Sequence, residues 1–481
     1  CYMIYRNARP GAAFSVLLTM RYASCMRHDE EALRLLATIA QVSNESGMRT
    51  YLVGGAVRDR LLHLPTPSDL DFVVEVGSAL DLAKRAADRL GSPAPVLFPR
   101  FHTAQLLFPP WKLEFVDARS ESYGKTSRKP QVASASLRED LLRRDFTVNT
   151  LLENLESGQV LDLLGAQKDL KSRILRTPLD PVVTVRDDPL RMLRAVRFSA
   201  RLGFVLVPEL EKAILGEAPT LWDKVSAERV KAELDLILFL PNPDRGILLM
   251  DRLGLLAQII PELESAKCIP QEKVEATDLF QHTLMTLKRS AEFLSDPPNP
   301  RERYAALFHD LGKVSAMRQE AGVLRFTEHE QIGAAIAESI LERLRASREE
   351  IDEVVFLVRW HMLPTQYQPT WSDAAVKRLV RRLGPNLKGL LRLARADIYG
   401  LEDLEHAFWQ LVGRIESLGA EEIQRLAPPL DGEEIMGLLG EGPGPRIGQI
   451  KEELLEAVLE GLIENSPEAA SLFLKRKYGL S

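Results

Sequence analysis

The chain has 481 residues, of which 45 % are hydrophobic and 27 % charged, the composition of an ordinary soluble globular protein with a length prior of roughly three domains. A net charge of −6 excludes a generally basic nucleic-acid coat, and no apolar run approaches the ~18 residues of a membrane span. The charge is uneven: Leu401 to Ser481 carries seven Lys/Arg against sixteen Asp/Glu, a net of −9 that leaves +3 on the preceding residues, so any grip on a polyanion is local. Cys1, Cys25 and Cys268 lie far apart without CxxC spacing, which suits a reducing cytoplasm and gives no zinc site.

In CYMIYRNARPGAAFSVLLTMRYASCM the apolar run Ala12 to Met20 is interrupted by Arg21, and no small-x-small cleavage site follows. Residues 1–28 are therefore expected to be a disordered leader, with Met26 as an alternative start. Glu30 to Glu45 reads as an amphipathic helix with Leu33, Leu36, Ile39 and Ala40 on its apolar face.

Tyr51 to Glu75, YLVGGAVRDRLLHLPTPSDLDFVVE, reads as strand, glycine turn, helix, strand. Gly54-Gly55 ahead of a helix lets backbone N–H groups approach a phosphate, with Arg58 one turn in. Asp69 and Asp71 are i and i+2 on the second strand, so their carboxylates share a face. Converging anions repel unless a cation joins them, and metal-assisted phosphoryl transfer uses that geometry. Taken separately, a Gly-Gly turn is usually only a turn, and a DxD is usually a solvated strand end.

Together, GGAVRD followed by SDLDFVV resembles the first signature of the bacterial-type nucleotidyltransferases that add CCA to tRNA 3′ ends, a class that includes bacterial poly(A) polymerases. The resemblance implies a DNA polymerase β-type α/β head in which Asp69 and Asp71 bind Mg²⁺ and Gly54, Gly55 and Arg58 meet the nucleotide. A helix at Asp81 to Leu90 and strands at Thr103 to Phe108 and Lys112 to Val116 continue the alternation. Glu114 is either an exposed alternate position or, as the resemblance suggests, a third carboxylate beside Asp69 and Asp71.

Ser120 to Arg138 lacks periodicity and is expected to be a mobile loop. In the following LREDLLRRDFTVNTL, charged residues abut Phe146 and Val148, which places at least one charge near the core. This segment resembles the family's second signature, which implies triphosphate and ribose contacts for Arg144 and Asp145, with Asn149 in support. Asp162, Gly165 and Asp169 fall in the place of the family's hinge segment.

From Pro178 the sequence reads as almost entirely helical, and Asp187-Asp188-Pro189 is expected to open the helix LRMLRAVRFSARLGF. Arg191, Arg194, Arg197 and Arg201 lie on one side of it, opposite Leu193, Val196 and Ala200. For Arg194, Arg197 and Arg201 a solvated basic face and contact with RNA phosphates both remain open. Asp188 and Arg191 resemble the family's protein template for choosing CTP and ATP. One carboxylate and one guanidinium can match the hydrogen-bonding edge of cytosine or adenine, whereas uracil and guanine offer a carbonyl where the amine should be. The family's usual acid pair is Glu-Asp, and here Asp187 stands in place of the Glu. SAERVKAEL, Ser226 to Leu234, completes the neck by resemblance.

Four of the eight histidines fall in an ordered set: His282, His309-Asp310 in LFHDLGK, His329, His361 and Asp397. Imidazole and carboxylate are the ligands of a hydrolytic divalent metal. The set resembles the HD phosphohydrolase domain, which implies His282, His309, Asp310 and Asp397 as primary ligands, His329 and His361 for a second metal or the phosphate, and Lys313 as a phosphate contact. The mixed ligands favour Ni²⁺, Mn²⁺ or Co²⁺, with Mg²⁺ as the alternative.

The expected organisation is elongated: leader 1–28, head 29–159, helical neck 160–265, HD domain 266–400 and helical tail 401–481. The expected function is untemplated addition of CMP and AMP from CTP and ATP to a tRNA 3′ end, with a second phosphohydrolase activity on 2′,3′-cyclic phosphates and 2′-phosphates. No membrane partner is expected. An A-adding enzyme or poly(A) polymerase is the alternative, and an HD phosphodiesterase with an inactive head is a further one.

Overall fold

The computed structural model describes residues 12–122, 131–267, 269–273, 276–293, 299–320 and 323–479. It divides into two compact units, Cys1–Glu233 with Leu249–Gln258, and Leu234–Leu248 with Ile259–Ser481.

The first unit opens with helix α1 (Ala12–Glu45). The leader is thus helical from Ala12 onward, contrary to the expected disorder, while residues 1–11 lie outside the described residues. The buried face of α1 is Ala32, Leu35, Ile39 and Val42, and Leu33 stands exposed. That spacing of three and four turns the apolar stripe away from Leu33.

Strand β1 (Arg49–Val53), helix α2 (Gly55–Leu61) and strand β2 (Asp69–Val76) follow as the sequence predicts. Helix α3 (Ala79–Leu90) starts at its cap Ser78 and stops at Gly91, which adopts the left-handed conformation. It packs on α1 and on strands β4 (Thr103–Phe108) and β5 (Trp111–Asp117), β3 (Val96–Phe98) lying before them. Strands β6 (Arg119–Ser122) and β7 (Gln131–Ser134) pair antiparallel, so the segment expected to be a mobile loop is a hairpin at its described ends, and 123–130 lie outside the described residues. Helix α4 (Leu137–Leu142) begins at a capping box between Ser136 and Glu139. Strands β8 (Leu152–Asn154) and β9 (Val160–Leu161) complete a seven-stranded sheet of order β3-β4-β5-β2-β1-β8-β9.

Within it β2 and β5 run parallel, and their register sets Asp71 opposite Glu114. On the face of β2 that carries Asp69 and Asp71, Val73 joins a core of Tyr51, Val53, Leu137, Leu141 and Leu152. Packing α4 on that face delivers the residues that leave it, Arg143 to Asp145, to the carboxylate side of the sheet.

Helices α5 (Ala166–Ser172), α6 (Pro181–Asp187) and α7 (Leu190–Leu202) follow. Asp162 accepts the backbone N–H groups of Ala166 and Gln167 at 2.9 and 3.0 Å and so caps α5, while Asp169 accepts from the Thr147 hydroxyl at 2.6 Å. Asp180 caps α6 through the Val183 N–H. Helix α7 thus starts directly after the Asp-Asp-Pro run, as the sequence suggests, with Pro189 at its N-cap, while Asp188 also closes α6.

In the second unit the helices Leu279–Glu292, Pro300–Phe308, His329–Arg343, Arg348–Trp360 and Leu387–Asp397 pack on one another. Short strand pairs, Pro270–Lys273 with Ala276–Asp278 and Met317–Glu320 with Val323–Phe326, interrupt the expected all-helical run. Farther on, Leu430, Ile435, Ile447, Ile450, Leu454 and Leu474 form a separate small core. No described helix is long and apolar enough to cross a membrane.

Two candidate active sites

In the head, Asp69 and Asp71 lie exposed on one face of β2, and parallel register brings Glu114 beside Asp71. Glu114 is half-buried and stands opposite Asp71, the placement that the reading as a third carboxylate requires. Protein around Asp71 and the neighbouring Asp69 push its carboxyl up, against the pull of Arg144; the same desolvation and the charge of Asp71 push Glu114 up. Carboxylates gathered this closely, with Asp71 and Glu114 pushed up first by burial and then by a neighbouring acid, fit a divalent cation, which would offset both.

Gly54 adopts φ 77°, and a Cβ there would sit 3.5 Å from Arg144 Nη1 and 3.9 Å from Asp71 Oδ2. The turn, the carboxylates and Arg144 therefore share one cleft, in which a side chain at position 54 would be strained by the positive φ. Gly55 begins α2. Arg144 leans on the buried Asp140 at 3.3 Å, and Asp140 also accepts from Arg143 at 2.6 Å.

Three expectations for this cleft change. Arg58 is only 1 % exposed: it donates to Asp59 at 2.8 Å and to Asn149 Oδ1 at 2.5 Å, so it braces the turn from beneath rather than meeting a nucleotide. Asp145 has all its acceptor positions taken. Oδ1 accepts from the Phe146 N–H and Asn149 Nδ2 at 2.8 and 2.9 Å, and Oδ2 from Arg194 Nε and Nη2 at 2.8 and 2.6 Å. Burial alone would raise this carboxyl, but Arg194 and Asn149 hold it down to about 2. Asp145 and Asn149 are thus buried positioning groups, with no acceptor left on Asp145 for a ribose.

The third change concerns the arginine face of α7. Arg194 pairs with Asp145, Arg197 with Glu233 at 2.7 Å and Arg201 with Asp59 at 2.7 Å, and the guanidiniums of Arg58, Arg194 and Arg197 surround the Phe198 ring at 4.9, 5.4 and 4.5 Å. These charges are thus paired with acids of the same unit rather than standing as an unpartnered basic stripe. The partners Asp59 and Glu233 were written in the sequence, beside Arg58 and within SAERVKAEL, but nothing local joins them to α7.

Arg191 donates to the backbone carbonyls of Thr184 at 3.3 Å and Arg143 at 2.6 Å, so main chain braces it. The partner of Asp188 is Arg229, at 3.1 and 3.4 Å, a residue that sequence reasoning did not single out.

In the second unit the six residues of the histidine set converge. His309 and His361 sit at the C-caps of their helices, and His282, His329 and Asp397 lie within theirs. Potential ligand atoms of His282, His309, Asp310 and Asp397 all lie within 4.8 Å of one another, as do those of Asp310, His329 and His361. Asp310 belongs to both groups. Its Oδ2 lies 3.3 Å from His309 Nε2 and 3.5 Å from His282 Nε2, and its Oδ1 lies 3.4 and 3.6 Å from His329 and His361 Nε2.

In three of the rings Nδ1 faces the backbone carbonyl three residues back: His309 to Ala306 at 3.0 Å, His329 to Phe326 at 2.8 Å and His361 to Val358 at 2.7 Å. A proton held there leaves the Nε2 lone pair aimed inward. Asp310 Oδ1 and the Nε2 atoms of His329 and His361 are buried without a hydrogen-bond partner, an uncompensated arrangement that a cation satisfies. Burial would lower His309, yet Asp310 and Asp397 outweigh it and push it up to about 9; His309 and Lys313 hold Asp310 well down against the same burial. Lys313, expected at the phosphate, is buried with Nζ 2.7 Å from Asp310 Oδ2. Gly312 permits the whole assembly, because a Cβ there would lie 1.9 Å from the His329 carbonyl oxygen.

These two centres define the class: an α/β nucleotidyltransferase head on one chain with an HD domain, both of kinds that use divalent metals. The Poly A polymerase head domain family matches residues 50–176, "Probable RNA and SrmB- binding site of polymerase A" matches 203–267, and the HD domain family matches 279–399. The chain is 35 % identical to the CC-adding tRNA nucleotidyltransferase of Thermus thermophilus, over 88 % of this chain and 93 % of the relative. It is also 35 % identical to the A-adding tRNA nucleotidyltransferase of Deinococcus radiodurans, over 71 % and 79 %. Its fold matches the Bacillus stearothermophilus CCA-adding enzyme, solved in complex with CTP, with TM-score 0.68 at 23 % identity over 94 % of this chain and 97 % of that one. The chain belongs to the tRNA nucleotidyltransferase and poly(A) polymerase family and is an enzyme of that family.

Proposed function

We propose that the chain adds CMP and AMP to tRNA 3′ ends from CTP and ATP. The observation that carries this is the shared cleft of Asp69, Asp71 and Glu114 with Gly54 and Arg144, followed on the chain by Asp188 and the main-chain-braced Arg191. Arg144 and the N–H groups of the glycine turn hold the triphosphate. Asp188 accepts from the exocyclic amine of cytosine or adenine while Arg191 donates to the ring acceptor, a pattern uracil and guanine do not offer. The RNA 3′-hydroxyl attacks the α-phosphorus, one P–O bond forms, the bond to the β-phosphate oxygen breaks, and pyrophosphate leaves. A divalent cation between the carboxylates, Mg²⁺ by the all-oxygen character of the donors, supplies charge neutralisation when bound.

The names of the relatives favour a second reading, partial addition of CC or of A alone. Pure protein incubated with tRNA lacking CCA, CA or A, under each nucleotide singly, separates them. Incorporation of C on the first and second substrates and A on the third supports complete addition, and no incorporation on any of them overturns the proposal.

For the second unit we propose a divalent-metal phosphohydrolase acting on 2′,3′-cyclic phosphates and 2′-phosphates, with Ni²⁺, Mn²⁺, Co²⁺ or Mg²⁺ held by His282, His309, Asp310 and Asp397. The buried, unpartnered Asp310 Oδ1, His329 Nε2 and His361 Nε2 support it. A His309→Ala/Asp310→Ala variant should lose this hydrolysis and still extend tRNA. Hydrolysis absent with all four metals, or equal in the variant, overturns it.

A further inference from the structure

On one side of the HD centre, a small cleft is lined by His282 and Asp397 together with Thr286, Arg289 and Tyr399. Its free volume of about 20 Å³ admits one water-sized group, so a larger ligand must lie outside it. Thr286 is 1 % exposed, and its hydroxyl has no hydrogen-bond partner. An unsatisfied hydroxyl one helical turn from His282 is a costly feature for a core and an ordinary one for a ligand contact.

Beyond the cleft the surface is aromatic and cationic. The Arg289 guanidinium pairs with the exposed Glu292 at 2.9 Å and lies 3.8 Å from the Tyr399 ring centre, and Tyr399 lies 6.2 Å from Phe293. Arg395 packs on both Phe293 at 3.8 Å and Trp409 at 4.9 Å. Tyr399 is 45 % exposed and Trp409 49 %, and among the described residues no acid pairs with Arg395. Exposed rings alternating with guanidiniums provide stacking platforms and phosphate contacts for single-stranded nucleic acid. A mononucleotide with its phosphate at the HD centre would occupy only the beginning of this strip.

We propose that this strip makes the single-stranded 3′ end of an RNA the preferred substrate of the HD centre, with Thr286 and Arg289 contacting the terminal nucleotide and Tyr399, Arg395 and Trp409 the bases behind it. The inference rests on the phosphohydrolase reading of that centre. For a terminal 2′,3′-cyclic phosphate the step is hydrolytic: the oxygen of one water bonds to phosphorus, one ribose P–O bond breaks, and the freed ribose oxygen takes a proton, with no oxidation or reduction.

The test uses the full chain and two substrates, a short single-stranded oligoribonucleotide ending in a 2′,3′-cyclic phosphate and free 2′,3′-cyclic AMP. Wild type should favour the oligonucleotide in kcat/KM. Trp409→Ala should reduce that preference about tenfold, the scale of one lost base stack, and Trp409→Phe should restore most of it. An oligonucleotide preference that Trp409→Ala leaves unchanged overturns the inference while the phosphohydrolase reading stands. Should wild type hydrolyse neither substrate, the phosphohydrolase reading falls, and binding of the same oligonucleotide decides the inference by itself. Equal affinity for wild type and Trp409→Ala then overturns it, and weakening of about tenfold supports the strip as a single-strand RNA site.

Discussion

Arg229 holds the carboxylate of Asp188 through one guanidinium nitrogen, at 3.1 and 3.4 Å from its two oxygens, and so occupies the acceptor that the proposed base selection would use or share. Asp188→Ala should reduce kcat/KM for both CTP and ATP by about 1 to 3 kcal/mol, the cost of a buried hydrogen bond left unmade, and raise UTP use relative to CTP. Arg229→Ala should cost less, and the double variant should be no worse than Asp188→Ala alone, because both changes act on one carboxylate. Single-nucleotide incorporation under each NTP measures this. Additive losses would place Arg229 outside base selection.

Asp71→Asn removes the charge at the centre of the head cluster and keeps the shape. Incorporation should fall by about 10²-fold or more, and hydrolysis at the HD centre should be retained. Near-normal incorporation with Mg²⁺ would exclude Asp71 from the metal site.

Acid should loosen the head through Asp145. Its carboxyl is held at about 2 against an ordinary 3.8. The group therefore contributes stability that is fully present above the unfolded value and lost as pH falls through the folded one. The window is about pH 4 to pH 2, and the contribution is about 2 kcal/mol. Asp145→Asn should flatten the pH dependence of unfolding across that window, followed by denaturant titration; an unaltered slope would mean that the Arg194 pair does not control it.

Gly312→Ala puts a methyl group where backbone already stands, 1.9 Å from the His329 carbonyl oxygen. The second unit should be destabilised by about 4 kcal/mol or more, the range of severe steric conflict. Gly333→Ala, whose nearest contact is 3.3 Å, should be milder. Calorimetry should show loss of one unfolding transition, with tRNA extension retained.

The sequence made much of both sites legible because their chemistry is local or ordered. Asp69 and Asp71 share a strand face, Gly54 precedes a helix, and the histidine set recurs with carboxylates along the chain. The tertiary partners were not legible. Arg201 meets Asp59 across 142 positions and Asp188 meets Arg229 across 41, separations over which no periodicity carries information. The arginines of α7 show the consequence. Their helical spacing correctly put them on one side, but whether that side faced water, RNA or an acid depended on packing. The burial of Arg58 was hidden in the same way, since a charged residue near a phosphate-binding turn and one locked beneath it look alike in a sequence. The apolar face of α1 could have been placed from its own spacing, because Ala32, Leu35, Ile39 and Val42 keep helical register and Leu33 does not.

The links from Arg201 to Asp59, Asp59 to Arg58, Arg58 to Asn149, Asn149 to Asp145 and Asp145 to Arg194 form a ring, closed by the two turns of α7 between Arg194 and Arg201. Such a ring acts as a truss. Sliding or rotating α7 against the sheet strains it at both ends, at Asp59 and at Asp145, so the helix and the glycine turn travel together. Under the proposed function, the start of α7 that would read the base and the glycine turn beside the β2 carboxylates would therefore keep one spacing for either nucleotide. On that reading, as the RNA lengthens by a residue the accommodation would fall to the RNA end, drawing back to present each new hydroxyl at the same fixed point.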